Sequence, residues 1–296
     1  MDISPAADAV LTAAERVAVD RILSLVRQRT GLDLAPYRPV TIHRRIRNRM
    51  ISVGVATLAE YLGMLEAQPA ETAPLVDRLT IKVSRFYRNA ETFDLLRSLV
   101  LPSLAALRQG APLRIWCAGC GHGEEPYTFA MLLAEGGWPG EIEGTDVDAP
   151  ALERARAGIY ATDAFDELPR ELAERYLVAV RPGPSPAWRI ADEVRARVRF
   201  SRHDLTAGAP PSTVGPRDLV SCRNVLIYLR RGAQDQALDV LLRPLAPGGV
   251  LCLGEAEWPS APAARVLEVI SRRARVFRVS GTAVPEGRSS CIEPSI

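Results

Sequence analysis

The stretch Leu113–Tyr127, Leu-Arg-Ile-Trp-Cys-Ala-Gly-Cys-Gly-His-Gly-Glu-Glu-Pro-Tyr, constrains the fold of this chain more than any other. An apolar strand runs into three glycines at alternate positions, Gly119, Gly121 and Gly123, and then into the acidic start of a helix. In α/β folds a glycine turn of this kind lets the backbone pass close to a nucleotide-type cofactor. The acidic helix entry argues against a phosphate ligand, which wants a bare, positive helix N-terminus, often with a lysine. Glu124 and Glu125 repel a pyrophosphate but can hold an ammonium. S-adenosyl-L-methionine (SAM) carries an ammonium and a sulfonium and no phosphate. A glycine loop alone is a weak signal, so the rest of the chain has to support the reading.

The texture around the loop supports it. From Leu113 onward, strand 113–117 is followed by helix 124–135, strand 140–145 and helix 149–157; strand 217–222, helix 232–245, strand 249–254 and a last strand at 275–279 come later. Strands alternating with helices predict a mainly parallel sheet with helices on both faces. One segment breaks this rhythm. Leu177–Val180, a Pro-Gly-Pro-Ser-Pro turn, Trp188–Ile190 and Val194–Phe200 read as short antiparallel strands, a small β insertion at about 177–200.

Ahead of this α/β part the pattern is helical. Thr12 with Glu15 reads as a capping box before the run Val17, Val19, Ile22, Leu23 and Val26, and Gly31 ends that helix. Further helices are predicted over 39–50, 56–68 and 71–80, and a helical stretch interrupted by Pro102 covers 90–107. The expected organisation is a helical domain over 1–88 with a linker to about 110, an α/β domain over 89–280 and a disordered tail over 281–296.

Composition narrows the function classes. At 296 residues and 47% apolar content the chain can build one large or two modest cores. The net charge of +2 says little about polyanion binding, but Arg38, Arg44, Arg45, Arg47 and Arg49 fall within a dozen residues free of acids. Five cysteines without disulfide-framework spacing indicate a reducing compartment. Cys117 and Cys120 form a CxxC, but neither a second pair nor His43, His122 or His203 completes a metal site, so no metal is expected. The N-terminus has no signal-peptide pattern and no apolar run approaches the ~20 residues of a membrane span, which predicts a soluble, cytoplasmic protein.

Several residues stand where chemistry is done. Asp146 ends the second strand, where an acid accepts from ribose hydroxyls; a helix cap is the other reading, and Asp148 supplies that equally well. Asp204 follows the strand 198–201, placed either to accept from an adenine amino group or to make a turn. A buried strand ends in Cys222-Arg223-Asn224, at the carboxyl edge where open α/β sheets bind ligands; loop formation is the alternative for Arg223 and Asn224. Ser84-Arg85-Phe86-Tyr87-Arg88 joins the two domains; its arginines either pack there or neutralise a substrate carboxylate.

Taken in order, these blocks resemble the chemotaxis receptor methyltransferase family (CheR), which methylates glutamates on bacterial chemoreceptors. The resemblance rests on Leu79–Arg88, Arg114–Cys120 with Gly123-Glu124-Glu125-Pro126-Tyr127, Thr145-Asp146-Val147-Asp148, Ala155–Tyr160, Cys222–Tyr228 and Pro247-Gly248-Gly249, and covers roughly residues 14–280. It implies a Rossmann-like SAM-dependent methyltransferase domain with a small antiparallel β insertion, preceded by a small all-α domain. It implies SAM contacts from Lys82, Ser84, Arg88, Gly119, Glu124, Asp146, Asp204, Leu205, Cys222, Arg223 and Asn224, with S-adenosylhomocysteine as product. Arg88 and Tyr228 would lie near the methyl group as catalytic residues, and Arg44, Arg45, Arg47 and Arg49 would face the cytoplasmic helices of a chemoreceptor. The chain departs from the family pattern at Lys82 and Asp204, where asparagine is usual. The expectation is a monomeric receptor glutamate O-methyltransferase that neither binds nucleic acid nor inserts into the membrane. The alternatives are a methyltransferase for another protein or a small molecule, and a non-catalytic SAM-binding regulator.

Overall fold

The computed structural model describes residues 12–80, 84–181, 183, 185–213 and 215–280. Lys82 and the tail expected over 281–296 lie outside them.

Among the described residues four helices come first: α1 (Ala13–Thr30), α2 (Pro39–Val53), α3 (Leu58–Ala67) and α4 (Thr72–Leu79). The first three begin or end on a local signal. Thr12 and Glu15 close a capping box on α1, Thr57 and Glu60 do so on α3, and Gly31 and Gly54 end α1 and α2 in the left-handed conformation. Ile22, Val26, Ile42, Ile46, Tyr61, Leu65 and Leu75 pack into one core. Within it the Arg49 guanidinium grips Glu71 through two bonds of 2.7 Å, and the Tyr61 hydroxyl donates to the same carboxylate at 2.8 Å.

Pro102 does not interrupt the next helix. Ala90–Leu95 and Leu101–Arg108 are joined by a π turn, Leu96–Val100. Proline lacks the N–H and its ring crowds the carbonyl four residues back; a wider turn just before it absorbs both.

The α/β part is built from β1 (Leu113–Ala118), β2 (Gly140–Asp146), β3 (Ile159–Ala161), β4 (Leu177–Arg181), β5 (Ala187–Ile190), β6 (Val198–Arg202), β7 (Arg217–Cys222), β8 (Leu245–Leu253), β9 (Leu267–Ser271) and β10 (Val276–Val279). Among the described residues the main sheet has the order β6-β2-β1-β7-β8-β10-β9. Its first five strands run parallel, and β10 is antiparallel to both neighbours. β1 and β7 are buried along almost their whole length, as strands covered on both faces must be. Helix Glu124–Glu135 packs on one face through Phe129 and Leu132, and helix Arg231–Leu242 on the other through Leu238 and Leu241.

The expected β insertion needs two corrections. Residues 194–200 are not its third strand: Asp192–Arg195 is a helical turn, and Val198–Arg202 joins the main sheet parallel to β2. There Phe200 packs edge-on against Tyr127 at 5.5 Å, an anchor on the main core that its own strand pattern does not reveal. The third strand of the small sheet is instead Ile159–Ala161, giving the order β3-β5-β4. β9, on the far edge of the main sheet, carries no alternation and was not expected.

The strand order reverses between β1 and β7. After β1 the chain steps outward to β2 and β6, then returns to the other side of β1. In open α/β sheets such a switch point leaves a crevice at the carboxyl ends of the strands, where ligands bind. Among the described residues no single helix is long and apolar enough to cross a membrane.

Candidate functional site

The crevice at the β1/β7 switch point is a cavity walled by the ends of four strands, the interdomain segment and the helical domain. Gly119, Cys120 and Gly121 form its floor after β1, and Thr145 and Asp146 stand at the end of β2. His203, Asp204 and Leu205 follow β6, and Arg223, Asn224, Val225 and Tyr228 follow β7. Ser84, Arg85 and Arg88 close it from the interdomain segment, and Tyr37, Thr41, Leu79 and Thr80 from the helical domain.

The floor is possible only because of its glycine. Gly119 has φ 71°, and a Cβ there would lie 2.4 Å from a Val225 methyl. The two loops therefore touch, backbone to side chain, beneath the ligand space. Asp146 stabilises the loop from the side, accepting from the Gly121 N–H at 2.8 Å and the Asp148 N–H at 2.9 Å. Asp148 is the helix cap, accepting from the Ala151 N–H, and also receives the Thr80 hydroxyl at 2.7 Å. Asp204 accepts from both the backbone and the hydroxyl of Thr206. The turns at Asp146 and Asp204 leave a carboxylate on the cavity wall, whereas Asp148 is buried outside its lining.

Three expected site residues sit otherwise than the sequence suggests. Glu124 does not line the cavity; it is buried behind the loop, and Glu125 occupies the wall instead. Cys222 is fully buried in β7 and belongs to the core beneath the cavity. Arg223 lines the cavity, but its guanidinium is spoken for. It donates to the Arg88 carbonyl and the Asn89 side-chain oxygen at 2.7 Å each, pairs with Glu125 at 3.3 Å and lies 5.1 Å from the Phe93 ring. It is thus a clamp on the segment that carries Arg88, rather than a group facing a methyl.

The arginines of α2 also divide. Arg44 and Arg47 are exposed, and Arg47 lies 3.5 Å from Glu15. Arg45 donates to the Arg78 carbonyl and lies over the Tyr228 ring at 6.0 Å. Arg49 is committed to Glu71 inside the helical core, so it presents no free guanidinium to a partner.

Sequence reading missed Tyr37. The segment before α2 zips onto the loop after β7: Tyr37 bridges Leu229, the Arg38 N–H donates to the Tyr228 carbonyl, and the Arg230 N–H donates to the Pro36 carbonyl. This puts the Tyr37 ring on the cavity wall beside Asp146 and Asp204. Burial and those two carboxylates hold its hydroxyl protonated, well above the usual phenol range. His203 stands nearby with its Nε2 buried and unpaired, and burial pulls its imidazole toward the neutral form.

Burial also pushes Glu124 up to about 7, with one of its oxygens lacking a hydrogen-bond partner. A carboxyl raised in the folded state is favourable while protonated, below the ordinary value of 4.5, and that contribution is lost as pH rises to about 7. Glu124→Gln is therefore expected to flatten the stability profile across this window, by up to about 3 kcal/mol between its ends. Urea midpoints measured at pH 5 and pH 8 decide it; a parent protein equally stable at both, relative to the variant, would refute the assignment.

The donor set fits a SAM-type ligand. Acids at the ends of adjacent strands can accept from ribose and adenine donors, Glu125 can face an ammonium, and no lysine at the helix entry invites a phosphate. The fold and the cavity define a nucleoside-cofactor α/β domain closed by a helical domain. The chain belongs to the CheR methyltransferase family: the family model described as "CheR methyltransferase, SAM binding domain" matches residues 82–274, and that described as "CheR methyltransferase, all-alpha domain" matches residues 18–80. The chain is 34% identical over 241 residues to a chemotaxis protein methyltransferase of Listeria monocytogenes, covering 81% of this chain and 89% of that one. It is 34% identical over 243 residues to a probable biofilm formation methyltransferase of Pseudomonas aeruginosa, covering 80% and 56%. An uncharacterised 104.1 kDa protein of Rhodobacter capsulatus is 36% identical over 247 residues, covering 81% and 25%. The chain thus spans just over half of the Pseudomonas relative and a quarter of the Rhodobacter one.

Proposed function

We propose that this chain transfers a methyl group from SAM to glutamate side chains of chemoreceptors, forming glutamate methyl esters. The carrying observation is the convergence of Arg88 and Tyr228 on a cavity whose other walls hold Asp146, Asp204 and Glu125. Bound SAM supplies a methyl already activated on a sulfonium. A glutamate carboxylate is ionised near pH 7 and is itself the nucleophile, so no general base is required.

What the chain contributes is alignment at near-attack distance. Asp146, Asp204, Leu205 and Asn224 hold the nucleoside portion, with Ser84 on the opposite wall. Glu125 takes the role expected of Glu124. Arg88 receives the substrate carboxylate and Tyr228 orients it. Arginine must hold that carboxylate loosely, because its charge disappears in the transition state. Arg44 and Arg47, exposed on α2, face the acidic receptor helices. Arg45 links that face to the Tyr228 ring. The domain organisation follows: a helical domain to about residue 88 for docking and cavity closure, then a methyltransferase domain.

The test is methyl-labelled SAM with chemoreceptor-containing membranes, scored as methanol released under mild base. Base-labile label on receptor glutamates is the expected result, because esters hydrolyse where N-methyl groups persist. SAM binding without base-labile transfer would overturn the proposal. The likeness to a biofilm formation methyltransferase favours a second reading, transfer to a protein of such a pathway.

A further inference from the structure

Glu257 lies in the loop after β8, outside every motif singled out in the sequence, and is 4% exposed. Its Oε2 accepts the N–H of Gly254 at 2.7 Å and of Asn224 at 3.0 Å, and its Oε1 accepts the N–H of Ile227 at 3.2 Å. Among the described residues its partners are backbone N–H groups, with no arginine paired to it.

Two of those donors, Asn224 and Ile227, belong to one piece of backbone, and Gly254 ties it to the loop after β8. The turn after β7 carries Asn224 and Tyr228 into the cavity, and it is not a relaxed one: Asn224 has φ 62°, and a short 3₁₀ turn, Leu226–Tyr228, follows. The opening N–H groups of such a turn have no partner of their own. Gly254 makes room for the arrangement, since a Cβ there would lie 2.6 Å from the Asn224 nitrogen and 2.7 Å from Glu257 Oε2. A neutral side chain could cap a turn at smaller desolvation cost. A carboxylate bonded to several N–H groups makes shorter, stronger bonds and so fixes the backbone more tightly.

We propose that Glu257 is a positioning residue, setting Asn224 and Tyr228 in register with the cofactor and the substrate carboxylate. This rests on the cavity roles assigned to Asn224 and Tyr228 above. Glu257→Gln keeps the shape and the acceptor near Asn224 or Ile227 but turns one oxygen into a donor facing an N–H. In the full-length chain, this variant is expected to weaken SAM binding about tenfold by calorimetry and to lower kcat for receptor methylation by about tenfold or more, with Tm within a few degrees. Combined with Asn224→Ala, it should add less than about twofold in SAM affinity, because the two act through one turn. Unchanged SAM affinity, multiplicative losses in the double variant, or a loss that tracks falling Tm would each overturn the proposal. A wild-type protein that binds SAM but makes no receptor ester would instead refute the substrate assignment alone, since SAM affinity and its coupling to Asn224 are read without a methyl acceptor.

Discussion

Arg223→Ala is expected to cost about 3–5 kcal/mol of stability, the range for breaking a buried charge pair from one side. The guanidinium side chain is only 3% exposed and pairs with Glu125. It also ties down a bent segment: Tyr87 and Asn89 both have positive φ, 59° and 64°, and the clamp bonds Arg88 and Asn89 directly. Non-glycine residues keep such conformations only where surrounding contacts enforce them. Removing the clamp leaves Glu125 without its cation at the cavity wall and lets the Arg88 segment relax. SAM affinity should therefore fall along with the urea midpoint. Arg223→Lys should recover only part of the loss, because one ammonium cannot reproduce the planar fork that reaches three partners. A variant with a wild-type urea midpoint would show that the clamp contributes nothing.

Arg88→Ala is expected to behave in the opposite way, leaving stability nearly intact while lowering receptor methylation by about a hundredfold or more. Its side chain is half-buried on the cavity wall, so its removal opens no core cavity. The contrast separates the two arginines: one holds the segment, the other uses it. Substantial methyl transfer by a well-folded Arg88→Ala protein would remove Arg88 from the mechanism.

The features that were legible in the sequence are those written locally. Gly119 announces a close approach because no other residue tolerates its backbone angle and its contact with Val225. The boundaries of helix Glu124–Glu135 and helix Ala149–Ala157 follow from glycine and aspartate caps within a few residues. The identity of the acid on the cavity wall was not legible. Glu124 and Glu125 are adjacent and chemically alike, and only the rotation of the helix entry turns one into the core and the other toward the ligand space. The place of β6 beside β2 is not legible for a similar reason. A short strand's pattern tells which face is apolar and leaves its hydrogen-bonding partner undetermined.

By itself the sequence determined the fold class, the family, the glycine loop and nine residues of the cavity wall, because each depends on local backbone rules or on short, contiguous motifs. The tertiary structure decided which side chains those residues answer to. Arg49, expected on a partner-facing surface, gives its guanidinium to Glu71, 22 positions away. Tyr37 meets Leu229 from the other domain, Arg223 reaches back 135 positions to Arg88, and Glu257 holds a turn 33 positions earlier. Such pairings depend on where the strand order reverses and on how two domains dock. Hydrogen bonds and buried charges are satisfied in space, and nothing in the spacing of these residues along the chain records which group will satisfy them.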